Sequence, residues 1–273
     1  MRRQVPDREG IDMRPVPRAF VFASAFLLTV DLVGAAELRR FGDHQLFTKG
    51  PFSAFMDPFN KREYVAGKDF DQSFTVDPDN FPVGTTINWN WPIRDPKFIV
   101  GFLQAAAYGD YFNTVPQRQI RPSRINDIQQ LSVSHDLTFS GTHNGFDVIY
   151  DYFLTKAPRG WTSRLFEIEV FLRTPEYSVK YFNTATPIGT FDHAGVQWKV
   201  AIDRRPKVPD ILFIPANHAD IAKGSIDLQA MHLFLKSKGI LTGDEYYNGH
   251  SLGVEPAQGT GSFLVNSVFV DYR

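Results

Sequence analysis

The sequence contains no cysteine among its 273 residues. Disulfide bonds, cysteine-zinc sites and thiol nucleophiles are therefore excluded. Neither sign of charge predominates, because 29 Lys and Arg residues stand against 30 Asp and Glu residues, a net charge of −1. Proteins that bind nucleic acid or an anionic membrane surface usually carry a strongly basic field. We therefore expect no nucleic-acid partner.

Motifs of nucleotide and metal chemistry are missing as well. The sequence has neither a Walker A loop nor the glycine fingerprint of dinucleotide-binding proteins. Its seven His residues show no H-E-x-x-H or other close ligand spacing. We predict that the protein needs no metal ion and no organic cofactor.

One catalytic motif matches in its residues, but the sequence around it does not fit the structure that the motif requires. Gly249-His-Ser-Leu-Gly253 matches the G-x-S-x-G elbow, whose serine needs a sharp turn from a strand into a helix and a later histidine partner. The segment after Ser251 is rich in Gly and Pro and cannot form that helix, and no histidine follows His250. The pattern favours an ordinary strand that leads into a turn.

The N-terminus has the features of a secretory signal peptide. Basic residues precede an apolar run at 19–30, and Gly34-Ala35-Ala36 follows it. The run is shorter than the roughly 20 apolar residues that a membrane span needs. We therefore predict a signal peptide at 1–36, a secreted or periplasmic protein without stable membrane insertion, and a single domain at 37–273.

The composition and periodicity of the remaining chain favour an all-β fold. The sequence has 25 Phe, 20 Gly and 18 Pro, residue types that suit strands and turns. Residues 41–75 show no clear periodicity. Strand-like segments then recur at 84–91, 128–139, 145–154, 165–172, 197–202, 210–214 and 262–270. Many short strands separated by turns predict a sandwich or barrel.

A single segment has helical periodicity. Leu228, Met231, Phe234 and Leu235 form an apolar stripe, and Gly239 follows it. We expect Ser225 to cap this helix and the helix to pack on an outer face of a sheet.

Carboxylates in the strands are the strongest chemical signal. Glu167, Glu169 and Phe171 alternate on one face of their strand, and Asp147 and Asp151 share a face of another. If these faces are exposed to solvent, the acids are unremarkable. If they line a cleft, neighbouring negative charges raise a carboxyl pKa and separate the roles of the acids.

A further acid, Glu255, follows a strand and precedes Pro256, a position from which it can project over a groove. Glycoside cleavage requires two opposed carboxyls, one as nucleophile or base and one to protonate the leaving oxygen. The chain supplies candidates for both roles.

Short motifs around these acids resemble glycoside hydrolase family 12, a family of secreted endo-β-1,4-glucanases and xyloglucanases. Phe166-Glu-Ile-Glu-Val-Phe171 resembles the nucleophile strand of the family, and Gly253-Val-Glu-Pro-Ala-Gln-Gly259 resembles its Gly-Thr-Glu-Pro-x-x-Gly motif. Ile149-Tyr-Asp-Tyr-Phe153 is similar to Ala-Tyr-Asp-Leu-Phe, Pro187-Ile-Gly189 to the cleft-edge loop, and Asn88-Trp-Asn-Trp91 to Asp-Trp-Gln-Trp. Together the motifs span about residues 60–273 in the family's order.

The resemblance implies a jelly-roll β-sandwich with one helix and the activity of a retaining endo-glycosidase. It implies Glu167 as nucleophile, Glu255 as acid/base and Asp151 as the acid that hydrogen-bonds the nucleophile. The implied substrate is a β-linked glucan polysaccharide or oligosaccharide, and we expect the protein to be a monomer.

The cleft departs from the family pattern at several positions. Glu169 replaces a Met, Phe171 replaces a Trp and Asp147 replaces an Asn. We predict that Phe171 contacts the sugar and that Glu169 and Asp147 either contact sugar hydroxyls or raise the pKa of a neighbouring group. The remaining predicted substrate contacts are Trp89 by ring stacking, Pro187 and Ile188 at the cleft edge, and Tyr64 as a replacement platform. For Trp89 a position in the core is the alternative.

Two alternatives to an enzyme remain. A non-catalytic carbohydrate-binding sandwich would retain saccharide affinity without turnover, and a structural sandwich would have no saccharide affinity. The altered sugar platforms favour the binding protein, whereas the presence of both glutamates favours the enzyme.

Overall fold

The computed structural model describes residues 37–94, 98–109, 120–159, 161–205 and 207–273. The predicted signal peptide at 1–36 lies outside the described residues. None of the helices within the described ranges is long and apolar enough to cross a membrane.

The smaller of two sheets has six antiparallel strands in the spatial order β1-β4-β5-β17-β8-β14. Their bounds are Arg39–Phe41 for β1, Asp71–Val76 for β4, Thr86–Trp91 for β5, Gly259–Tyr272 for β17, Leu131–Gly141 for β8 and Lys223–Asp227 for β14.

The larger sheet has eleven strands, nine of them in the order β11-β12-β13-β10-β9-β16-β6-β3-β2. Their bounds are Thr186–His193 for β11, Val196–Asp203 for β12, Asp210–Pro215 for β13, Arg164–Arg173 for β10, Phe146–Thr155 for β9, Gly249–Pro256 for β16, Phe102–Gly109 for β6, Phe52–Asp57 for β3 and Leu46–Lys49 for β2. The short strands β7 (Ser123–Arg124) and β15 (Tyr246–Tyr247) complete it. All pairs are antiparallel except β10 with β13.

The two sheets pack face to face around the main hydrophobic core, as the predicted jelly-roll sandwich requires. Strand β9 shows how the sequence divides between the faces, because Tyr150 and Tyr152 point into this core. The alternate residues point to the outer face of the larger sheet, where Ile149 and Phe153 join a second, smaller apolar cluster. All ten residues of β9 are buried, so both faces of this strand are covered.

The predicted helix forms at Leu228–Ser237 (α2), but its cap and its packing differ from expectation. Ser225 lies in β14, and the cap is Asp227, whose side chain accepts a hydrogen bond of 2.8 Å from the backbone N–H of Ala230. The helix packs against the core between the sheets and not on an outer sheet face, because Met231 and Leu235 belong to that core.

Two further features differ from the sequence prediction. The segment 41–75, which lacks clear periodicity, contains strands β2, β3 and the start of β4. A second helix, α1 at Glu176–Phe182, lies between β10 and β11. Its buried Phe182 packs into the apolar cluster on the outer face of the larger sheet.

Candidate active site

A cavity of about 520 Å³ opens on the outer face of the larger sheet. Phe102, Phe153 and Phe171 of the outer apolar cluster contribute to its lining. Five strands of this sheet also contribute carboxyl groups to the lining: Asp147 and Asp151 from β9, Glu167 and Glu169 from β10, Asp203 from β12, Asp210 from β13 and Glu255 from β16.

The strand register concentrates these acids. Three carboxyl pairs stand directly opposite each other on neighbouring strands: Glu255 with Asp147, Glu169 with Asp151, and Glu167 with Asp210. Like charges directly opposite on a sheet are destabilising. Three such pairs in one cavity therefore indicate a functional site that costs the fold stability.

The Glu255 and Asp147 pair is buried at one end of the group. Ser178 Oγ of α1 donates a hydrogen bond of 2.8 Å to Asp147 Oδ2, and the Tyr177 hydroxyl lies 3.3 Å from the same oxygen. Burial raises the pKa of Asp147 to about 7, although these hydrogen bonds oppose the shift. Burial and the charges of Asp147 and Asp151 raise the pKa of Glu255 well above its usual range. Glu255 is therefore suited to hold a proton near neutral pH.

Glu167 has a different environment. Its side chain is 19% exposed, and Arg205 Nη2 donates a hydrogen bond of 2.9 Å to its Oε2. Burial raises the pKa of Glu167 above its usual value, and the charges of Arg205 and Arg164 reduce this rise without reversing it. Glu167 also affects the opposite end of the cavity, because its charge contributes to the raised pKa of Glu255.

The same arginine contacts a second carboxyl. Arg205 Nη2 lies 2.6 Å from Asp210 Oδ2, and Asp210 is fully buried. The Tyr181 hydroxyl of α1 lies 3.0 Å from Asp210 Oδ2 and 2.9 Å from Asp203 Oδ2. Burial and the charge of Glu167 raise the pKa of Asp210 to about 8, although Arg205 opposes the shift.

Glu169 lies between these groups, directly across from Asp151. Burial raises its pKa well above the usual range, and the charges of Asp210 and Glu255 raise it further. Glu169 is therefore expected to be protonated at neutral pH and to act as a hydrogen-bond donor or acceptor rather than as an anion.

Two exposed phenylalanines line the rim of the cavity. Phe59 and Phe98 are each 51% exposed. Backbone hydrogen bonds hold their loops, from Asn60 N–H to Val100 C=O at 2.9 Å and from Val100 N–H to Pro256 C=O at 2.7 Å. The second bond fixes this rim beside the residue that follows Glu255. Exposed aromatic rings at a groove are suited to contact the apolar face of a sugar ring.

Six of the ten predicted site residues line this cavity: Glu167, Glu255, Asp151, Glu169, Asp147 and Phe171. The position of Trp89 corrects the prediction that it stacks on a sugar. Trp89 is 3% exposed, and its ring packs edge-on against Phe146 at 5.0 Å in the core between the sheets. Its strand, β5, belongs to the sheet that does not carry the cavity.

The other three predicted residues are also absent from the lining. Tyr64 packs against the main core with its ring edge-on to Trp91 at 6.2 Å. Pro187 and Ile188 lie in β11, at one edge of the larger sheet and three strands from β10. Three strand spacings amount to about 14 Å, which separates this edge from Glu167.

Sequence reasoning missed the residues that act on the acids from outside their strands. Arg205 lies in the connection between β12 and β13, where neither periodicity nor a motif indicates a role. Asp210 is the first residue of an otherwise apolar strand, and a carboxyl at that position could have been recognised as a candidate site residue. Tyr177 and Tyr181 have helical i, i+4 spacing, but one such pair in a helix of seven residues is too little to identify α1 from sequence.

The serine elbow is absent, as predicted from its context. Ser251 lies in the middle of β16, is fully buried and stands opposite Asp151 in the register. It does not occupy the turn from strand to helix that a nucleophilic serine requires.

Comparisons with known proteins agree with this architecture. No family model matches the sequence. The Aspergillus fumigatus protein named "Probable xyloglucan-specific endo-beta-1,4-glucanase A" is 24% identical over 151 residues, which cover 55% of this chain and 60% of that protein. The match thus spans about 60% of the length of the curated relative.

Solved structures match over most of the chain. A family 12 xyloglucanase from Bacillus licheniformis in complex with a ligand has a TM-score of 0.71 at 17% identity, covering 87% of this chain and all of that one. Endoglucanase 3 of Trichoderma harzianum, from family 12, has a TM-score of 0.68 at 17% identity, covering 88% and 99%.

The fold is a jelly-roll β-sandwich with a groove of paired carboxyls on one sheet, and it is the fold of the solved family 12 glycoside hydrolase structures. The sequence is also similar to a curated endoglucanase over part of its length.

Proposed function

We propose that the protein is a retaining endo-glycosidase with Glu167 as nucleophile, Glu255 as acid/base and Asp151 as the residue that tunes Glu167. The observation that carries the proposal is the contrast between the two glutamates in one cavity. Arginine pairs with Glu167, whereas neighbouring carboxylates surround Glu255. A nucleophile must be ionised and a general acid must be protonated, and the arginine charges reduce the rise in the pKa of Glu167, whereas the carboxylate charges add to the rise in the pKa of Glu255.

The reaction proceeds by double displacement. The Glu167 carboxylate attacks the anomeric carbon while Glu255 transfers its proton to the departing glycosidic oxygen, which leaves a glycosyl ester on Glu167. Glu255, now ionised, removes a proton from water as that water hydrolyses the ester. The strands of the two glutamates are separated by β9 alone, and retention requires their carboxyls to come within about 5–5.5 Å.

The remaining groups assist this pair. Asp147 stabilises the protonated form of Glu255 from the opposite position on β9. Glu169 and Phe171 line the cavity next to Glu167 and are positioned to contact the sugar. The exposed rings of Phe59 and Phe98 contribute an apolar surface at the rim for an additional sugar.

The proposed substrate is a β-linked glucan, namely a β-1,4-glucan, xyloglucan or mixed-linkage glucan. Support comes from the name of the curated relative and from the ligand-bound family 12 xyloglucanase. We also propose that the protein is exported with residues 1–36 removed, leaving a single domain at 37–273, and that it acts as a monomer.

The test is release of reducing sugar from xyloglucan, lichenan and soluble cellulose derivatives. We expect turnover by the wild type and a loss of at least about 10³-fold for Glu167→Gln, because a nucleophile cannot be replaced by an amide. Glu169→Gln is the matched comparison, with a much smaller loss because Glu169 is already neutral. NMR of the first product should show the β-anomer, and an α-anomer would contradict retention.

A binding protein without turnover is the second candidate, and the raised pKa of Glu167 favours it, because a protonated carboxyl cannot act as a nucleophile. It predicts saccharide affinity in the wild type with no product release. Calorimetric titration with cello-oligosaccharides beside the release assay separates the two candidates.

A further inference from the structure

The cluster around Arg205 places one cation among several acids. Among the described residues, the acids that share the cavity with Glu167 include Glu169 on its own strand, Asp151 on β9, Glu255 on β16, Asp203 on β12 and Asp210 on β13. The cations of this part of the chain that act on Glu167 are Arg205 and Arg164. Two cations cannot balance six ionised carboxyls, so some of these acids must retain their protons.

The difference in burial between Glu167 and Asp210 indicates which of the two carboxyls retains its proton. Glu167 and Asp210 stand directly opposite each other on the parallel strands β10 and β13, and both contact the same guanidinium nitrogen of Arg205. Asp210 is fully buried and accepts a hydrogen bond from Tyr181, whereas the Glu167 side chain is 19% exposed. Desolvation disfavours charge most at the more buried group.

We propose that Arg205 and Asp210 form a clamp that favours the ionised form of Glu167 and fixes its position, with Arg205 bridging the two carboxyls and Asp210 remaining protonated. The inference rests on the proposed role of Glu167 as nucleophile. Arg205 and Asp210 are positioning residues, since they act on the nucleophile and not on the substrate.

The clamp predicts different effects of Arg205→Gln and Asp210→Asn on the pKa of Glu167. Removal of the guanidinium in Arg205→Gln should raise the pKa of Glu167 by about one unit or more, the usual effect of losing an adjacent arginine. Asp210→Asn should leave the titration of Glu167 in place, because an amide resembles the protonated carboxyl. It should also remove a titration near pH 8.

The experiment is a ¹³C NMR titration of the full-length chain labelled at the Asp and Glu side-chain carboxyls, with Glu167→Gln used to assign the signal of Glu167. Arg204→Gln is the matched control, since it removes the same charge from the neighbouring exposed residue. Arg205→Lys keeps the charge but not the planar fork, so it should give an intermediate shift. The acid limb of kcat/KM against pH should move with the NMR value.

Three outcomes would overturn the clamp. They are an unmoved Glu167 titration in Arg205→Gln, an equal shift in Arg204→Gln, and a fall of about one unit in the pKa of Glu167 in Asp210→Asn, which would show that Asp210 is ionised. The NMR titration does not depend on turnover. A wild type that releases no sugar but titrates as described therefore contradicts the proposed hydrolysis while leaving the electrostatic clamp intact.

Discussion

At the scale of single residues, neighbours on adjacent strands set the chemistry of the cavity. Glu255 and Glu167 are the same residue type on the same sheet, yet one faces Asp147 and the other pairs with Arg205. Position 147 carries Asn in the family that the chain resembles, so the extra acid is a feature of this protein.

Asp147→Asn tests the effect of that acid. In the wild type the ionised Asp147 raises the pKa of Glu255, so its removal should lower that pKa. The basic limb of kcat/KM against pH reports loss of the acid's proton. We expect this limb to move to lower pH by about one unit. An unchanged limb, with only the absolute rate reduced, would contradict the electrostatic role of Asp147.

The rim phenylalanines permit a second test at this scale. Phe59→Ala and Phe98→Ala should each raise KM for oligosaccharides by about two- to tenfold with little change in kcat, because an aromatic contact contributes about 0.5–1.5 kcal/mol. Phe269→Ala is the control, since Phe269 is comparably exposed on β17 of the smaller sheet. An equal effect of all three variants would rule out a specific sugar contact at the rim.

At the scale of elements, helix α1 connects both ends of the cavity. Ser178 contacts Asp147, Tyr181 contacts Asp210, and Phe182 anchors the helix in the outer apolar cluster. A helix of seven residues is unstable in isolation. Its position therefore depends on these contacts with the sheet.

Phe182→Ala should detach this helix. Loss of a buried phenylalanine costs about 3 kcal/mol or more, and the hydroxyl contacts of Ser178 and Tyr181 should weaken with it. We expect a lower free energy of unfolding in urea and faster amide exchange in α1. Lys180→Ala, on the exposed side of α1, should change the free energy of unfolding by less than about 0.5 kcal/mol. Equal losses in both variants would show that Phe182 does not anchor the helix.

Strands β9 and β10 could be predicted from sequence, because alternation identifies them, and both form where predicted. Strand β16 extends through Glu255, which was expected to follow a strand, and six of the ten predicted site residues share the cavity. Alternation gives two faces but does not say which face meets the core. Trp89 was misplaced for that reason. Helix α1 was missed because seven residues give too short a window for helical periodicity.

At the scale of the whole molecule, the nearly neutral net charge does not reveal that the cavity is acidic. The chain carries a net charge of −1, yet seven carboxyls and two arginines line the cavity among the residues that the structure describes. A balanced total therefore coexists with a strongly acidic groove. Concentrating carboxyls in a buried site makes the folded state bind protons more tightly than the unfolded chain.

The consequence is a stability that falls as pH rises. Asp147 and Asp210 have folded pKa values of about 7 and about 8 against 3.8 in the unfolded chain, so between pH 4 and 7 the folded state binds more protons. Each such group lowers the free energy of unfolding by about 1 kcal/mol per pH unit across that window. The melting temperature should therefore be higher at pH 5 than at pH 8.

Two variants test whether the buried cavity acids cause the fall of the melting temperature with increasing pH. Asp210→Asn should flatten it, because the amide takes up no proton and the cost of ionising a buried carboxyl disappears. Asp136→Asn is the control, since hydrogen bonds from Lys223 and Asn266 lower the pKa of Asp136 in the folded state. Its stabilisation is complete above pH 4, so its loss should reduce the melting temperature equally at pH 5 and pH 8. A wild-type melting temperature that rises from pH 5 to pH 8 would contradict this account, because stability rises with pH only where the unfolded chain binds more protons than the folded protein, as it would if the cavity acids were ionised in the folded state.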